Sequence, residues 1–266
     1  MTARLRTWLA HPLTRELDID APDTTALRRQ IIAGKPFLRS IYDEWYRLVR
    51  DALPDMEGEV LELGSGAGFM RQYIDDLLTS EIFLTPGVRT VLDATALPFP
   101  AASLRAIVMT DVFHHIPRPR AFLSEASRSL KPGGRIVMVE PWVTPWSRLV
   151  YRRFHHEPFL PEAPRWEFPA SGPLSGANGA LPWIIFERDR AAFEREFPFL
   201  RISVIRPFMP LAYLVSGGVS MRSLMPGVAY RLWRVLERAA PSRLTAMFAM
   251  IVVERSAPAN AASAMA

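Results

Sequence analysis

The chain contains no cysteine. That removes disulfides, thiolate metal sites and cysteine nucleophiles at once, and it fits a reducing compartment, so a cytoplasmic location is the expectation. Long apolar runs are missing as well. The uncharged stretches over 169–186 and 207–221 are interrupted by proline and glycine, and neither reads as a spanning helix. Near the start, Arg4 and Arg6 precede Trp8-Leu9-Ala10, but His11 and Pro12 break that run, so no signal-peptide apolar region is expected. Dense charge of one sign is absent too. The net charge of +5 comes almost wholly from arginine and is spread along the chain, which leaves nucleic acid unindicated as a partner.

What is present is a globular composition: 266 residues, 49% hydrophobic and 11% aromatic, enough for a full core in one domain with insertions. The organising stretch is Glu-Val-Leu-Glu-Leu-Gly-Ser-Gly-Ala-Gly-Phe over residues 59–69. Val60, Leu61 and Leu63 supply an apolar strand. Gly64, Gly66 and Gly68 then make a turn without side chains in the way, and a helix is expected over 69–78. Such a turn at the end of a parallel strand is where open α/β sheets bind nucleotides. The dinucleotide fingerprint needs its third glycine five residues after the first, and Phe69 stands there, which argues against a nicotinamide oxidoreductase.

Glycines at alternate positions after Glu62 form an E-x-G-x-G-x-G pattern that resembles motif I of the class I S-adenosylmethionine-dependent methyltransferases. Three further phrases resemble the same family in the same order. Val91-Leu92-Asp93-Ala94-Thr95-Ala96-Leu97-Pro98-Phe99 resembles its strand-three motif. Asp111-Val112-Phe113-His114-His115-Ile116-Pro117, at the end of a strand over 106–110, resembles its strand-four motif with a His-His pair. Leu-Lys-Pro-Gly-Gly-Arg-Ile-Val-Met-Val-Glu-Pro over 130–141 resembles the approach to strand five, after a helix over 120–130.

The resemblance implies a Rossmann-like, mostly parallel seven-stranded sheet with an antiparallel last strand and helices on both faces. It implies S-adenosyl-L-methionine as cofactor and methyl transfer to a small-molecule or lipid-like acceptor. The implied cofactor-binding residues are Glu62, Gly64, Ser65, Gly66, Gly68, Glu81, Asp93, Ala94 and Thr110, with Glu81 on the ribose and Asp93 on the adenine amino group. Glu81 falls in a second strand over 80–83, and a loop at Pro86-Gly87 replaces the usual helix before Asp93. Asp93 also reads as a simple turn cap. His114 and His115 are the catalytic candidates, because an imidazole can take a proton from a substrate hydroxyl or orient it. The other reading is packing and local hydrogen bonding. A protein that keeps this fold but transfers nothing is the alternative function.

The domain expectation is a single unit over 1–266. It comprises a helical cap over 1–56, a cofactor-binding core over 57–141, substrate-side insertions over 142–183 and 209–242, and a disordered tail over 256–266. In the cap, Leu38, Ile41, Tyr42, Trp45 and Leu48 recur at helical spacing, for packing, for a lid, or for both. Trp142, Trp146, Tyr151, Phe154, His155, His156 and Glu157 open the first insertion. Adjacent His155, His156 and Glu157 point apart and cannot easily close on one ion, so a helix end with solvated polar residues is expected there, and no metal. A charged helix over 187–197 and a strand over 200–208 precede the second insertion, and the last strand is expected over 247–254. In that insertion a helix over 228–239 carries Val228, Leu232, Val235, Leu236 and Ala239 on one side, with Arg231, Arg234 and Arg238 offset. It reads as core-facing with a solvated arginine face. Peripheral contact with an anionic membrane, or a grip on an acidic substrate, is the other reading.

Overall fold

Short apolar runs become strands of one seven-stranded sheet in the computed structural model, which describes residue 11 and residues 23–155, 157–169, 172 and 176–257. The strands are β1 (Glu59–Leu63), β2 (Leu77–Glu81), β3 (Thr90–Val91), β4 (Leu104–Thr110), β5 (Leu130–Pro141), β6 (Leu200–Phe208) and β7 (Phe248–Arg255). Their spatial order is β3-β2-β1-β4-β5-β7-β6. All neighbours run parallel except β7, which lies antiparallel between β5 and β6. This is the Rossmann-like sheet implied by the resemblance. Continuous burial of β4 and β5 fits their Ala-Ile-Val-Met and Ile-Val-Met-Val runs, since parallel central strands are covered on both faces.

The Lys-Pro-Gly-Gly phrase lets β5 leave and rejoin its neighbour. Pairing with β4 jumps from Leu104–Leu130 to Ala106–Arg135. A Cβ on Gly134 would stand 2.8 Å from the Lys131 carbonyl oxygen and 3.0 Å from that of Arg105, so only glycine fits this excursion.

Helices pack around the sheet. They are α1 (Asp23–Gly34), α2 (Pro36–Asp51), α3 (Pro119–Ser129), α4 (Pro145–Phe154), α5 (Arg190–Glu196) and α6 (Tyr230–Glu237), with shorter turns between them. α2 buries Phe37, Leu38, Ile41, Trp45 and Val49 along one face. Trp45 is fully buried, its ring 4.7 Å from Phe248 and 5.7 Å from Tyr213. α4 starts at a capping box in which Thr144 accepts from the Ser147 N–H and Ser147 accepts from the Thr144 N–H. No helix among the described residues is long and apolar enough to cross a membrane. Residues 1–10 and 12–22 of the expected cap lie outside the described residues. So does the expected tail from 258 on, although the Ser256 N–H still donates to the Phe199 carbonyl.

Three expectations are corrected. The helix over 69–78 is absent: a single 3-10 turn, Met70–Gln72, leads to β2, which starts at Leu77 rather than at residue 80. Tertiary contacts hold this segment instead, with the Tyr73 hydroxyl donating to Asp43 at 2.7 Å and Arg39 lying 3.9 Å over the Phe69 ring. Asp76, at φ 54, is incompatible with a continuing helix. The helix over 187–197 is divided at Asp189 into a π-turn, Ile184–Arg188, and α5.

The helix over 228–239 shrinks to α6 and is turned the other way. Val228 is 94% exposed, Leu232 66%, Val235 58% and Leu236 63%, whereas the Arg234 side chain is only 13% exposed. Arg234 faces inward because Glu44 on α2 and the buried Glu237 need a cation. It meets Glu44 at 2.7 Å and also pairs with Glu237, and the Tyr230 hydroxyl donates to Glu44. Replacing Trp45 by alanine should lower stability by about 3–5 kcal/mol, the usual cost of emptying a large aromatic site. Urea denaturation of the two proteins checks this, and a change within error would mean that α2 is not anchored through that ring.

Candidate functional site

Gly64, Gly66 and Gly68 all adopt positive φ (61°, 47° and 69°), so the turn after β1 curls tightly at the point where the chain's strand order reverses between β1 and β4. A Cβ on Gly64 would lie 2.6 Å from Val112 Cγ2. The turn is fastened to β2 by hydrogen bonds from Ser65 N–H to the Ser80 carbonyl and from Ser80 N–H to Ser65 Oγ. Gly66 N–H donates to Glu81 Oε1 at 2.7 Å.

This turn forms part of the wall of a cavity of about 1200 Å³. Glu62, Gly64, Ser65, Gly66, Glu81, Asp93, Ala94, Thr110 and His115 all line it. Gly68 lies off this wall, and His114 sits behind it with no exposure. Two polar atoms there are orphaned: Glu62 Oε2 and Thr110 Oγ1 are buried without a partner. Burial, with Glu81 nearby, pushes the Glu62 carboxyl up to about 8, against a lowering hydrogen bond from Ser65. Burial also raises Glu81, although the Gly66 and Ile82 N–H groups pull the other way. Asp93 is exposed and caps its own turn, accepting from the Thr95 N–H at 2.7 Å and the Thr95 hydroxyl at 2.8 Å. The turn-cap geometry is therefore present in a residue that also faces the cavity.

At the end of β4 the chain makes a 3-10 turn, Phe113–His115. Glu140, at the end of β5 and fully buried, accepts from the Val112 and Phe113 N–H groups at 2.8 Å each and meets His114 Nδ1 at 2.7 Å. The other nitrogen of His114, Nε2, lies 3.3 Å from Glu157 Oε2. Burial works against a charge on His114, but the two carboxylates outweigh it and hold its pKa well above the usual value. Glu157 is held well below the carboxylate range by His114, His115 and His155, despite its burial. His115 differs from its neighbour. Its Nδ1 donates to the Gly176 carbonyl at 3.2 Å, which leaves Nε2 as a free acceptor 3.8 Å from Glu157 Oε1. Burial and the charge on His114 lower His115 to about 3.

Asp111 stands at the head of this network with φ 61°, lining the cavity, and burial raises its carboxyl to about 7. Asp111, Glu140 and Glu157 escaped sequence reasoning. The usable signal for Glu140 was a carboxylate closing an otherwise apolar strand. Glu157 was read as a solvated helix end, and this is corrected: its side chain is 13% exposed and buttresses both histidines. The residues expected around it divide. Tyr151, Phe154 and His155 line the cavity, together with Tyr42, Tyr46 and Tyr213, while Trp142 is buried and Trp146 donates to the Pro210 carbonyl.

His156 lies outside the described residues, so the adjacent triple at 155–157 forms no described cluster. Ligand atoms of His114, His115 and Glu157 do lie within 4.8 Å of one another, a spacing that a divalent ion could draw in. Both ring nitrogens of His114 are already engaged by carboxylates, however, and its imidazolium supplies the positive charge there.

Residues 61–138 match the family model described as a methyltransferase domain. Demethylmenaquinone methyltransferases of Renibacterium salmoninarum and Paenarthrobacter aurescens are each 32% identical to the chain, over 111 and 123 residues. The alignments take in 36% and 40% of this chain and 47% and 49% of those proteins, so the chain spans about half the length of the curated relatives it matches. Among solved structures, the geranyl diphosphate C-methyltransferase of Streptomyces coelicolor, bound to Mg2+, geranyl diphosphate and S-adenosyl-L-homocysteine, is similar in fold. Its TM-score is 0.50 at 16% identity, covering 86% of this chain and 83% of that one.

The ion network makes a pH-dependent contribution to stability. His114, with a raised pKa, contributes fully below its ordinary value of 6.5 and loses that contribution as pH climbs through its folded value. Glu157, with a depressed pKa, contributes above its ordinary value of 4.5 and loses it as pH falls. His114→Gln should therefore cost about 3–5 kcal/mol near pH 6, where both contributions stand, and less toward alkaline pH. Urea denaturation of both proteins across pH measures this; a gap that widens with pH would contradict a charged His114.

Proposed function

We propose that the protein transfers the methyl group of S-adenosyl-L-methionine to a small-molecule or lipid-like acceptor. The observation that carries this reading is that a single cavity is lined by the glycine turn with its orphaned Glu62 carboxylate and by His115 with its free Nε2. The cofactor fits the first part. Gly64 and Gly66 admit its methionine portion to the backbone, and Glu62 Oε2 lacks a donor that the methionine ammonium would supply. Thr110 Oγ1 is the second unpaired atom there. Glu81 keeps the Gly66 N–H and still has lone pairs for ribose hydroxyls, and Asp93 and Ala94, which line the same cavity, are the residues that the family resemblance assigns to adenine. When bound, the cofactor supplies a methyl group already activated by its positive sulfur.

The chain's own residues then have to orient the acceptor, exclude water and take up a proton where the acceptor carries one. His115 Nε2 is the acceptor atom that faces that proton; with its pKa lowered to about 3 it orients the donor group through a hydrogen bond, and it becomes a base only as far as Glu157 beside it stabilises the imidazolium, while the Gly176 carbonyl fixes the ring's tautomer. His114 and Glu140 do not reach the cavity and position the turn. Arg28 is the one arginine or lysine among the described lining residues, against Asp111 and Glu157, so the reacting end of the acceptor is neutral or cationic rather than anionic. Tyr42, Tyr151, Phe154 and Tyr213 suit an apolar body. The names of the relatives and of the structural neighbour, which refer to demethylmenaquinone and geranyl diphosphate, agree with the apolar body of such an acceptor.

Two outcomes are expected. Gly66→Val, strained at φ 47° and facing the cavity, should abolish cofactor binding in calorimetry, and an unchanged affinity would remove the glycine turn from the site. His115→Ala should leave cofactor affinity intact and cut turnover about 10²–10⁴-fold, read as transfer of labelled methyl to a panel of quinones, prenyl compounds and amines. If wild-type protein binds cofactor yet methylates nothing across broad panels and extracts, the non-catalytic alternative takes over.

Glu62 gives a third, pH-based expectation. Its carboxyl is raised to about 8, so below that pH the free protein holds a proton that a cationic ligand must displace. Cofactor affinity should therefore rise with pH up to about 8, by at most about tenfold per unit, with proton release. Calorimetry in buffers of different ionisation enthalpy measures that proton. Proton uptake, or an affinity flat across this range, would count against Glu62 as the ammonium's partner.

A further inference from the structure

The outward face of α6 is the largest feature that the cavity leaves unexplained. Leu232, Val235 and Leu236 on α6, with Val228 in the 3-10 turn just before it, form one apolar stripe, all between 58% and 94% exposed. Leu224 before the helix and Leu244 after it are exposed as well, at 58% and 56%. Apolar side chains concentrated in this way on a soluble surface mark a contact site.

The charges in the same stretch are of one sign. Arg222, Arg231, Arg238 and Arg243 are exposed, and the acidic residue between them, Glu237, is buried, accepting from the Leu211 and Ala212 N–H groups and pairing with Arg234. The helix cannot roll to hide its stripe. Arg234 and Tyr230 are fastened to Glu44 on α2, the Tyr230 ring packs 5.3 Å from Phe37, and rolling would break these contacts.

We propose that this face docks on an anionic lipid surface, with the apolar stripe entering the headgroup boundary and the four arginines meeting lipid phosphates. A second copy of the chain fits less well. A symmetric contact would bring the same four arginines from both copies together without an acid between them. The same insertion lines the cavity with residues 217–221, where Lys35 donates to the Gly218 and Met221 carbonyls, so the docked face and the cavity wall belong to one stretch of chain. An acceptor dissolved in the bilayer would then be collected from its surface. The inference stands on the surface and not on the transfer reading; a chain that floats with vesicles yet binds no cofactor would keep this one and sink the other.

The experiment is vesicle flotation of the full chain on phosphatidylcholine alone and on phosphatidylcholine mixed with phosphatidylglycerol, at low and high salt. Flotation is expected with the anionic vesicles only, weakened by salt. Leu232→Glu with Val235→Glu, and separately Arg231→Glu with Arg238→Glu, should each lower vesicle partitioning by about tenfold or more, with unfolding midpoint and cofactor calorimetry unchanged because these side chains are exposed. Three results would overturn the proposal: no flotation on anionic vesicles, flotation indifferent to both double variants, or a dimer in light scattering that Leu232→Glu dissolves and that does not float.

Discussion

Glu140 has no exposure, and its two oxygens hold three donors from one turn: the Val112 and Phe113 N–H groups and His114 Nδ1. A buried carboxylate left without such donors would be costly, so the turn after β4 cannot leave this position without stranding a charge. The rest of the site follows from that constraint. Once His114 is fixed, its other nitrogen holds Glu157, which brings the chain beyond α4 against the ends of β4 and β5. The His114 carbonyl accepts from Asn178 N–H, and Asn178 in turn exchanges hydrogen bonds with Leu160. One buried acid thus ties four separate stretches of sequence together behind the cavity wall. Between two carboxylates His114 stays charged, and that charge helps keep His115 neutral beside it.

The sheet was legible because its information is local. Runs such as Ala-Ile-Val-Met bury themselves wherever they are placed, and glycines at alternate positions announce a turn with positive φ. The strand over 200–208 agrees with β6 residue for residue. What failed was decided at a distance. Residues 69–78 have the periodicity of a helix, but Tyr73 finds Asp43 and Phe69 finds Arg39, and these contacts override a weak local preference. Within the candidate site, the glycine turn and His115 were readable from their phrases. Glu157 was not, because its partners lie 42 and 43 positions away and nothing in its own neighbourhood specifies them.

α6 shows the same limit in sharper form. Periodicity separates an apolar side from a charged side but does not say which side turns inward. Arg231, Arg234 and Arg238 are one residue type on one helix, yet Arg234 is nearly buried while the other two are exposed. The difference is Glu44, supplied by α2 about 190 residues earlier in the chain, together with Glu237. A desolvated pair of acids needs a cation more urgently than four aliphatic side chains need cover, since unpaired buried charge costs several kcal/mol and each exposed aliphatic side chain forgoes about 1.5–3. The helix therefore presents its apolar side to the outside.

Charge is consequently sorted by location. Outside, the second insertion exposes arginine; inside, the cavity is lined by Glu62, Glu81, Asp111 and Glu157, with Arg28 as the one arginine or lysine among the described lining residues. An acidic interior in a chain of net charge +5 is not a by-product of composition. For the proposed donor, which carries two positive centres, it favours entry of the charged cofactor. The arrangement also separates two tasks. Glu62 sits at the glycine turn, where the ammonium it would bind keeps its charge throughout, whereas Asp111 and Glu157 sit beside the histidines, where positive charge would be gained on proton transfer. Stabilisation that grows during the reaction accelerates it, and stabilisation that is constant only binds. On the proposed reading Glu62 would serve affinity and Glu157 rate: one carboxyl keeps an oxygen without a partner, whereas the other is held between imidazoles.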